Sequence, residues 1–318
     1  MPKVSIIMNC LNSSEFLEEA LDSVYSQTFV DWEIIFWDNA STDNSSAIAK
    51  SYDSKLRYFK SNKTVSLGEA RNFAIKEARG EYIAFLDCDD KWLPEKLQKQ
   101  VTILDVNKEV GFIYSNFFIQ DNIRNCQRLA LKSMQPQGRV FEKFLYNYPV
   151  GILTVLLRRK NLECLDHLFD ASLNYAEDYD FFMRFIYETP AVYLKEPLAV
   201  YRIHQNMSSI NLFSDVTKEH KYTIEKFKHI YKDFEKRYSK ALRHLNERFE
   251  YFRIWKEMAR GDLKAVRNHP EVIKTFNIKL LMLYFASFMP VKLWFMLWHF
   301  WSILKGNKNI KKLIVKSL

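Results

Sequence analysis

Four short apolar runs of high β propensity, Val4–Met8, Trp32–Trp37, Leu56–Phe59 and Tyr82–Leu86, set the frame of this chain. Helix-spaced segments separate them. Phe16, Leu17, Ala20, Leu21, Val24 and Tyr25 recur at helical spacing after a cap at Ser13 or Ser14, in a helix read through Gln27. Ser41 or Thr42 caps a second helix that runs to about Tyr52, and Leu67–Ala78 forms a third, with Gly80 at its C′ position. Strand alternating with helix is the pattern of a parallel sheet covered on both faces. Ligands of such sheets bind beyond the carboxyl ends of the strands. Three of those ends carry Asn9 and Asn12, Asp38, and Asp87 and Asp89.

The fourth run stops abruptly at Asp87-Cys88-Asp89-Asp90. A single Asp would suffice for a turn, whereas adjacent like charges cost free energy unless a cation offsets them. Asp87 and Asp89 are hard oxygen donors two positions apart, suited to sharing one Mg2+ or Mn2+ while leaving room for phosphates. A polar loop capping a helix near Lys91 satisfies the same four residues, so this stretch alone leaves both readings open.

Composition narrows the function classes. The 318 residues are 48% hydrophobic, enough for one large core with an appended piece, or for two domains. The net charge of +9 is compatible with nucleic acid, anionic lipid or a phosphorylated substrate. No RNP or helix-turn-helix signature accompanies it, so nucleic acid is not expected as a partner. Cys10, Cys88, Cys126 and Cys164 lie far apart without a CxxC pair and read as reduced thiols. The N-terminus enters a strand at once, and neither a signal peptide nor an extracellular location is expected.

Two alternatives fit poorly. A dinucleotide fold needs G-x-G-x-x-G after the first strand, but that turn reads Asn9-Cys10-Leu11-Asn12, and no P-loop occurs. Without glycines or a Walker lysine, a metal would have to neutralise a bound diphosphate. A haloacid-dehalogenase-like phosphatase also uses Asp-x-Asp, but directly after the first strand and followed by Thr or Val. Here three βα units precede it and Asp90-Lys91 follows.

Taken together, these motifs resemble glycosyltransferase family 2, enzymes of the GT-A fold. Val4–Asn12 resembles the family's opening strand and nucleotide loop, with Asn9-Cys10-Leu11 replacing the usual Pro-x-Tyr and its base-stacking aromatic. Trp37-Asp38-Asn39-Ala40-Ser41-Thr42-Asp43 is similar to the family's Asp-Asp-Gly-Ser-Thr-Asp, which by position gives Asp38 the uracil contact. Gly68-Glu69-Ala70-Arg71-Asn72 looks like the Gly-x-x-x-Ala-Arg-Asn segment, slightly shortened, and puts Arg71 beside the nucleotide. Asp87-Cys88-Asp89 takes the place of the metal-binding DXD. The resemblance thus implies a nucleotide-sugar site of Asn9, Asn12, Asp38, Gly68, Arg71, Asp87, Cys88 and Arg202, and a metal site of Asp87, Asp89 and His204.

Glycosyl transfer also needs a general base for the acceptor hydroxyl. Tyr175–Arg184 reads as a helix start with acids first and an apolar face behind them, and it resembles the family's Glu-Asp motif. That likeness makes Asp178 the base and Glu177 its support; acids serving only the helix dipole give the same pattern. Val200–Ser209 resembles the Tyr-Arg-x-His segment that closes the domain, with His204 at the metal or diphosphate and Arg202 in the same pocket. Val150–Arg159 reads as a strand near the acceptor. The Gln-x-x-Arg-Trp of processive polymerases is missing, which points to one sugar per encounter.

From about Asp215 the pattern becomes amphipathic-helical, with Phe227, Ile230, Tyr231, Phe234 and Tyr238 among charges. Gly261-Asp262 breaks it. Ile278–Leu304 is rich in Leu, Met, Phe and Trp but split by Pro290 and Lys292. With Trp294, Trp298, Trp301 and the lysines after them, it suits an interfacial anchor on an anionic leaflet; a buried helix or dimer contact is the other reading.

The expectation is therefore an α/β, Rossmann-like, mostly parallel GT-A domain over residues 1–212, flanked by helices. Its nucleotide-sugar half is read to about 115 and its acceptor half from 116 to 212; a helical C-terminal region covers 213–318. The expected activity is inverting, Mn2+- or Mg2+-dependent transfer of a sugar from a nucleotide-sugar, with UDP the leading nucleotide, to a glycan or lipid-linked glycan of the cell surface. It would occur at the cytoplasmic face of the membrane, and an oligomer is compatible with it. A non-catalytic sugar-nucleotide or glycan-binding module of the same fold is the alternative.

Overall fold

The computed structural model describes residues 1–207 and 213–259 and isolated positions between 262 and 288. Strands β1 (Val4–Cys10), β2 (Trp32–Asp38), β3 (Leu56–Lys60) and β4 (Tyr82–Phe85) alternate with helices α1 (Ser14–Tyr25), α2 (Ser45–Lys50) and α3 (Leu67–Glu77). The strands lie in the order β3-β2-β1-β4, all parallel. β2 stands on one side of β1, and the crossover from β3 carries the chain to β4 on the other. The carboxyl ends of β1 and β4 therefore diverge at a topological switch point, where an open α/β sheet leaves a crevice. Val4, Ile6 and Met8 of β1 and Ile34 and Phe36 of β2 are buried with Leu17, Leu21 and Val24 of α1. Burial on both faces is why these strands are continuous apolar runs rather than alternating ones.

The second half of the sheet is mixed. It contains β5 (Lys91–Trp92), α4 (Lys96–Val106), β6 (Phe112–Asp121), β7 (Cys126–Leu129), α5 (Phe141–Tyr146), β8 (Leu156–Arg158), α6 (Glu177–Glu188) and β9 (Ala191–Ile203). The order continues β4-β8-β6-β9-β5, with β7 beside β6. β8 is antiparallel to both β4 and β6, and β6 runs parallel to β9. The segment 150–159, read as one strand, is a 3-10 turn at Ile152–Thr154 followed by the three-residue β8. No helix begins near Lys91; β5 comes first, and α4 starts at Lys96.

Gly80 has a different role from the expected helix cap. α3 ends at Glu77, and Ala78 is already extended, with φ −68° and ψ 132°. A Cβ on Gly80 would lie 2.5 Å from the Ser5 backbone nitrogen, so glycine here permits the chain to enter β4 hard against β1.

The chain divides into two compact units, Met1–Lys232 and Asp233–Leu318. The division falls beyond the 212/213 boundary read from the sequence, because helix α7 (Phe213–Ile230) is part of the first unit. Lys226 of α7 pairs with Asp180 of α6 at 2.5 Å, and Tyr231 stacks on Tyr187 with ring centroids 3.7 Å apart. Asp233, at φ 56°, ends that run. The second unit then contains α8 (Phe234–Arg237) and α9 (Ser239–Ala259). Among the described residues, no helix is long and apolar enough to cross a membrane. The tryptophan- and lysine-rich segment proposed as an anchor lies outside the described residues.

Candidate active site

A cavity of about 410 Å³ opens at the switch point. The end of β1 and the loop after it, Asn9 to Ser13, form one wall, and Asp87, Cys88 and Asp89 form its floor. Asn39 after β2, Val65 and Leu67 at the start of α3, Glu15 and Phe16 of α1, and His204, Asn206 and Met207 after β9 complete it.

The loops are braced to each other before any ligand arrives. Asn12, at φ 51°, accepts a hydrogen bond from the Thr42 amide at 2.8 Å, and its own amide donates to Ser41 Oγ at 3.1 Å. Asp43 accepts from the Ser14 and Ser45 amides at 2.9 and 3.0 Å. Burial alone would raise its pKa, but the hydrogen bonds from Ser45 and Ser14 prevail and bring it down to about 2. Asn9 Nδ2 is buried without a partner in the cavity wall.

The acidic loop is held from behind. Arg202 Nε donates to the Asp89 carbonyl at 2.9 Å, the Arg202 amide donates to Asp90 Oδ1 at 2.9 Å, and the guanidinium pairs with Glu19 at 2.8 Å over the ring of Phe16. His204 Nε2 lies 3.0 Å from Asp89 Oδ2. Burial and the neighbouring Asp87 push Asp89 above the usual carboxylate range, and burial pushes Asp90 well up. Such crowding of carboxylates is what a divalent cation relieves. Asp87, Asp89 and His204, two hard oxygen donors and an imidazole, are of the donor types that Mn2+ accepts.

Arg71 joins this floor to a second group. Buried in α3, it donates to Asp87 Oδ1 at 3.0 Å and to Glu177 Oε1 at 2.6 Å. Glu177 opens α6, and Asp178 follows it, half-buried. Burial and the Glu177 charge, opposed by Arg71, push the Asp178 carboxyl up to about 7. The α6 N-terminus is secured by Glu219 of α7, which accepts from the amides of Asn174, Tyr175 and Ala176 at 3.0, 2.8 and 2.8 Å.

Several residues read from the sequence as nucleotide contacts face elsewhere. Asp38 is fully buried in the cavity's outer support, accepting from Tyr58 Oη at 2.5 Å and the Ser41 amide at 2.7 Å. The next residue, Asn39, faces the cavity instead; its amide group clamps Val65 through Val65 N at 3.0 Å and Val65 O at 2.9 Å. Asp38 and Asn39 alternate across β2's end, and only one of two neighbours can face the ligand side. Gly68 lies against the 169–170 segment, where a Cβ would stand 3.1 Å from the Asp170 carbonyl oxygen. Arg202 braces the acidic loop rather than lining the cavity. Arg71 spends its charge on Glu177 and Asp87. Cys88 does line the cavity, with its thiol 3.3 Å from the Asn9 carbonyl oxygen. A further cluster of His167, Asp170 and Asp180 is occupied by the Lys226 ammonium, 2.9 Å from Asp170 and 2.5 Å from Asp180.

Sequence reasoning passed over Asn39, Glu19 and Glu219. Asn39 was visible within its motif but lost to the charged neighbour. Glu19 sits at helical spacing among unremarkable surface acids, and Glu219 lies in a segment assigned to another region.

Comparison with known proteins agrees with this architecture. A beta-1,3-glucosyltransferase from Escherichia coli, WfgD, named as using UDP-Glc and alpha-D-GlcNAc-diphosphoundecaprenol, is 30% identical over 219 residues, covering 68% of this chain and 83% of its own. The structure of S. aureus TarS residues 1–349 with UDP-GlcNAc superposes with a TM-score of 0.60 at 19% identity, over 90% of this chain and 79% of that one. A mannosyltransferase from Pyrobaculum calidifontis, in complex with GDP-Man and Mn2+, gives 0.59 at 17% identity, over 92% and 83%. The family model described as glycosyl transferase family 2 matches residues 5–165, just over half of the 318. The chain belongs to glycosyl transferase family 2 and is a glycosyltransferase of the GT-A fold.

Proposed function

We propose that this glycosyltransferase moves a sugar, with inversion, from a UDP-sugar to a lipid-linked glycan during assembly of a cell-surface polysaccharide. The observation that carries the reading is the Arg71 bridge between Asp87 and Glu177, which ties the acidic floor of the donor cavity to the residue preceding Asp178. Donor and acceptor chemistry are thereby held to one rigid connection.

The nucleoside lies in this scheme along Asn9–Asn12, Asn39 and Val65, with its diphosphate toward Asp87, Asp89 and His204. Mn2+ or Mg2+ held by those three residues supplies Lewis-acid stabilisation of the leaving diphosphate. Asp178 takes the proton from the acceptor hydroxyl as that oxygen attacks the anomeric carbon. One base on the face opposite the leaving group gives inversion. Arg71 holds Glu177 in an ion pair and limits how far Asp178 is pushed upward. The named activity of the similar E. coli enzyme supports both the UDP donor and the diphospholipid acceptor. A peripheral position on an anionic leaflet, through the C-terminal basic aromatic segment, fits that acceptor.

The test uses the full chain, a panel of UDP-sugars and a GlcNAc-diphospholipid with a short alkyl chain. Transfer should appear with one donor, vanish with EDTA and return with Mn2+ or Mg2+. Asp89→Ala and Asp178→Asn should each lower it by at least about 100-fold with the fold intact. Full turnover in EDTA or in either variant would refute the assignment.

A further inference from the structure

Tyr148 stands on the loop after α5 and belongs to no motif. Its hydroxyl is buried and has no hydrogen-bond partner, while its ring remains half-buried. Edge-to-face contacts with Phe144, at 5.9 Å and 89°, and with Tyr179, at 5.0 Å and 78°, fix the ring on two sides. The phenol therefore cannot swing out to water without leaving both. Its electrostatic neighbours are Asp178, Tyr179 and Glu177. Glu177 Oε2 is likewise buried and unpartnered. Buried polar atoms are nearly always hydrogen-bonded, and an exception calls for a reason. Two exceptions beside the same half-buried carboxylate mark a place where a polar ligand group completes the set.

We propose that Tyr148 is an acceptor-binding residue: its phenolic O–H donates to the acceptor's attacking hydroxyl oxygen while that hydroxyl donates its own proton to Asp178. Burial and the flanking carboxylates hold the phenol well above its ordinary pKa, so it keeps its proton throughout. In the transfer step the acceptor O–H bond breaks and its proton goes to Asp178. The acceptor oxygen bonds to the anomeric carbon, and the electron pair of the broken glycosyl–phosphate bond leaves with the nucleoside diphosphate. Tyr148 orients one lone pair of the nucleophile and leaves another aimed at the sugar. The assignment rests on Asp178 being the base.

The test is Tyr148→Phe in the full chain, with UDP-glucose and the GlcNAc-diphospholipid. The ring is retained, so both aromatic contacts and the melting temperature should be kept. The expected result is a fall of about 10- to 100-fold in kcat/KM for the acceptor, the effect of one lost hydrogen bond to a group gaining charge. Donor affinity should not change. No change in transfer, or a fall in transfer matched by an equal loss of donor affinity, overturns the proposal. As a second measurement, the same acceptor lacking its attacking hydroxyl should inhibit the unmodified protein more weakly than the variant's own ratio of intact to deoxy acceptor predicts. Equal ratios overturn it as well. Asp178→Asn is measured alongside: full transfer in that variant refutes the base, whatever Tyr148→Phe does.

Discussion

Asp178 is caught between stability and chemistry. A base must be ionised, yet burial and Glu177 favour its neutral form and raise its pKa from 3.8 to about 7. Arg71, Asp87, Tyr148 and the Tyr179 amide are the other groups that face it. Transfer should rise with pH through about 7 as the carboxylate forms, and a kcat–pH profile checks this. The stability sign is opposite. Between the unfolded pKa near 3.8 and the folded pKa near 7 the native state holds more protons, so this group's contribution falls as pH rises across that window. Asp178→Asn should therefore raise the melting temperature more at pH 8 than at pH 5 while abolishing transfer. A variant that melts equally above the unmodified protein at both pH values, or below it at pH 8, would contradict the shift. Ala40 is a second residue under tension. It sits at φ 66°, where the related motif has glycine. A side chain in that region costs about 1–2 kcal/mol, and glycine returns about 0.5–1 kcal/mol of it as unfolded-state entropy. Ala40→Gly should stabilise by about 0.5–1 kcal/mol, read as a higher urea midpoint with unchanged slope.

At the scale of elements, β1 to β4 and their helices were legible because strands buried on both faces advertise themselves as apolar runs and the switch point follows from their order. Legibility failed where a single position decides. Side chains alternate at a strand end, so the charged Asp38 drew the attention while it is Asn39 that lines the cavity. Gly80 follows a helix, but its reason is a neighbouring strand distant in sequence. The second half of the sheet was harder because it is mixed, with the three-residue β8 inserted between β4 and β6 by long-range pairing that no local pattern reports. The same blindness hid Glu219. Its carboxylate satisfies three amides at the start of α6, the helix that presents Glu177 and Asp178. Hydrogen bonds from amides to a carboxylate are among the stronger ones. Glu219→Ala should destabilise the protein by about 1–3 kcal/mol and speed hydrogen exchange at 174–178. Transfer should fall with donor affinity kept, because the donor cavity lies on other elements. Unchanged exchange at those amides would remove Glu219 from the account.

For the whole molecule, the division at Lys232 separates two questions that the sequence merged. A chain ending at Lys232 keeps α7, and with it Lys226 between Asp170 and Asp180, Glu219 on the α6 amides and the Tyr231–Tyr187 stack. A chain ending at residue 212 loses all of them and leaves Asp180, fully buried, with Arg184 as its one remaining cation among the described residues. Each lost hydrogen bond to a charged group costs about 1.5–3 kcal/mol, and losing Lys226 and Glu219 together removes a large share of the total stability of a domain this size. The 1–232 chain should thus unfold cooperatively and bind UDP in the presence of Mn2+, whereas the 1–212 chain should not reach a cooperative fold. Circular-dichroism melts and UDP-dependent shifts of the midpoint distinguish the two. The membrane reading makes a separate demand on the same pair of proteins. If the residues after Lys232 hold the enzyme to anionic lipid, the full chain should cosediment with phosphatidylglycerol vesicles, weaken at high salt and ignore phosphatidylcholine. The 1–232 chain should stay in solution with its donor affinity intact. Vesicle binding retained by 1–232 would put the lipid contact on the catalytic unit and leave the C-terminal segment to another role.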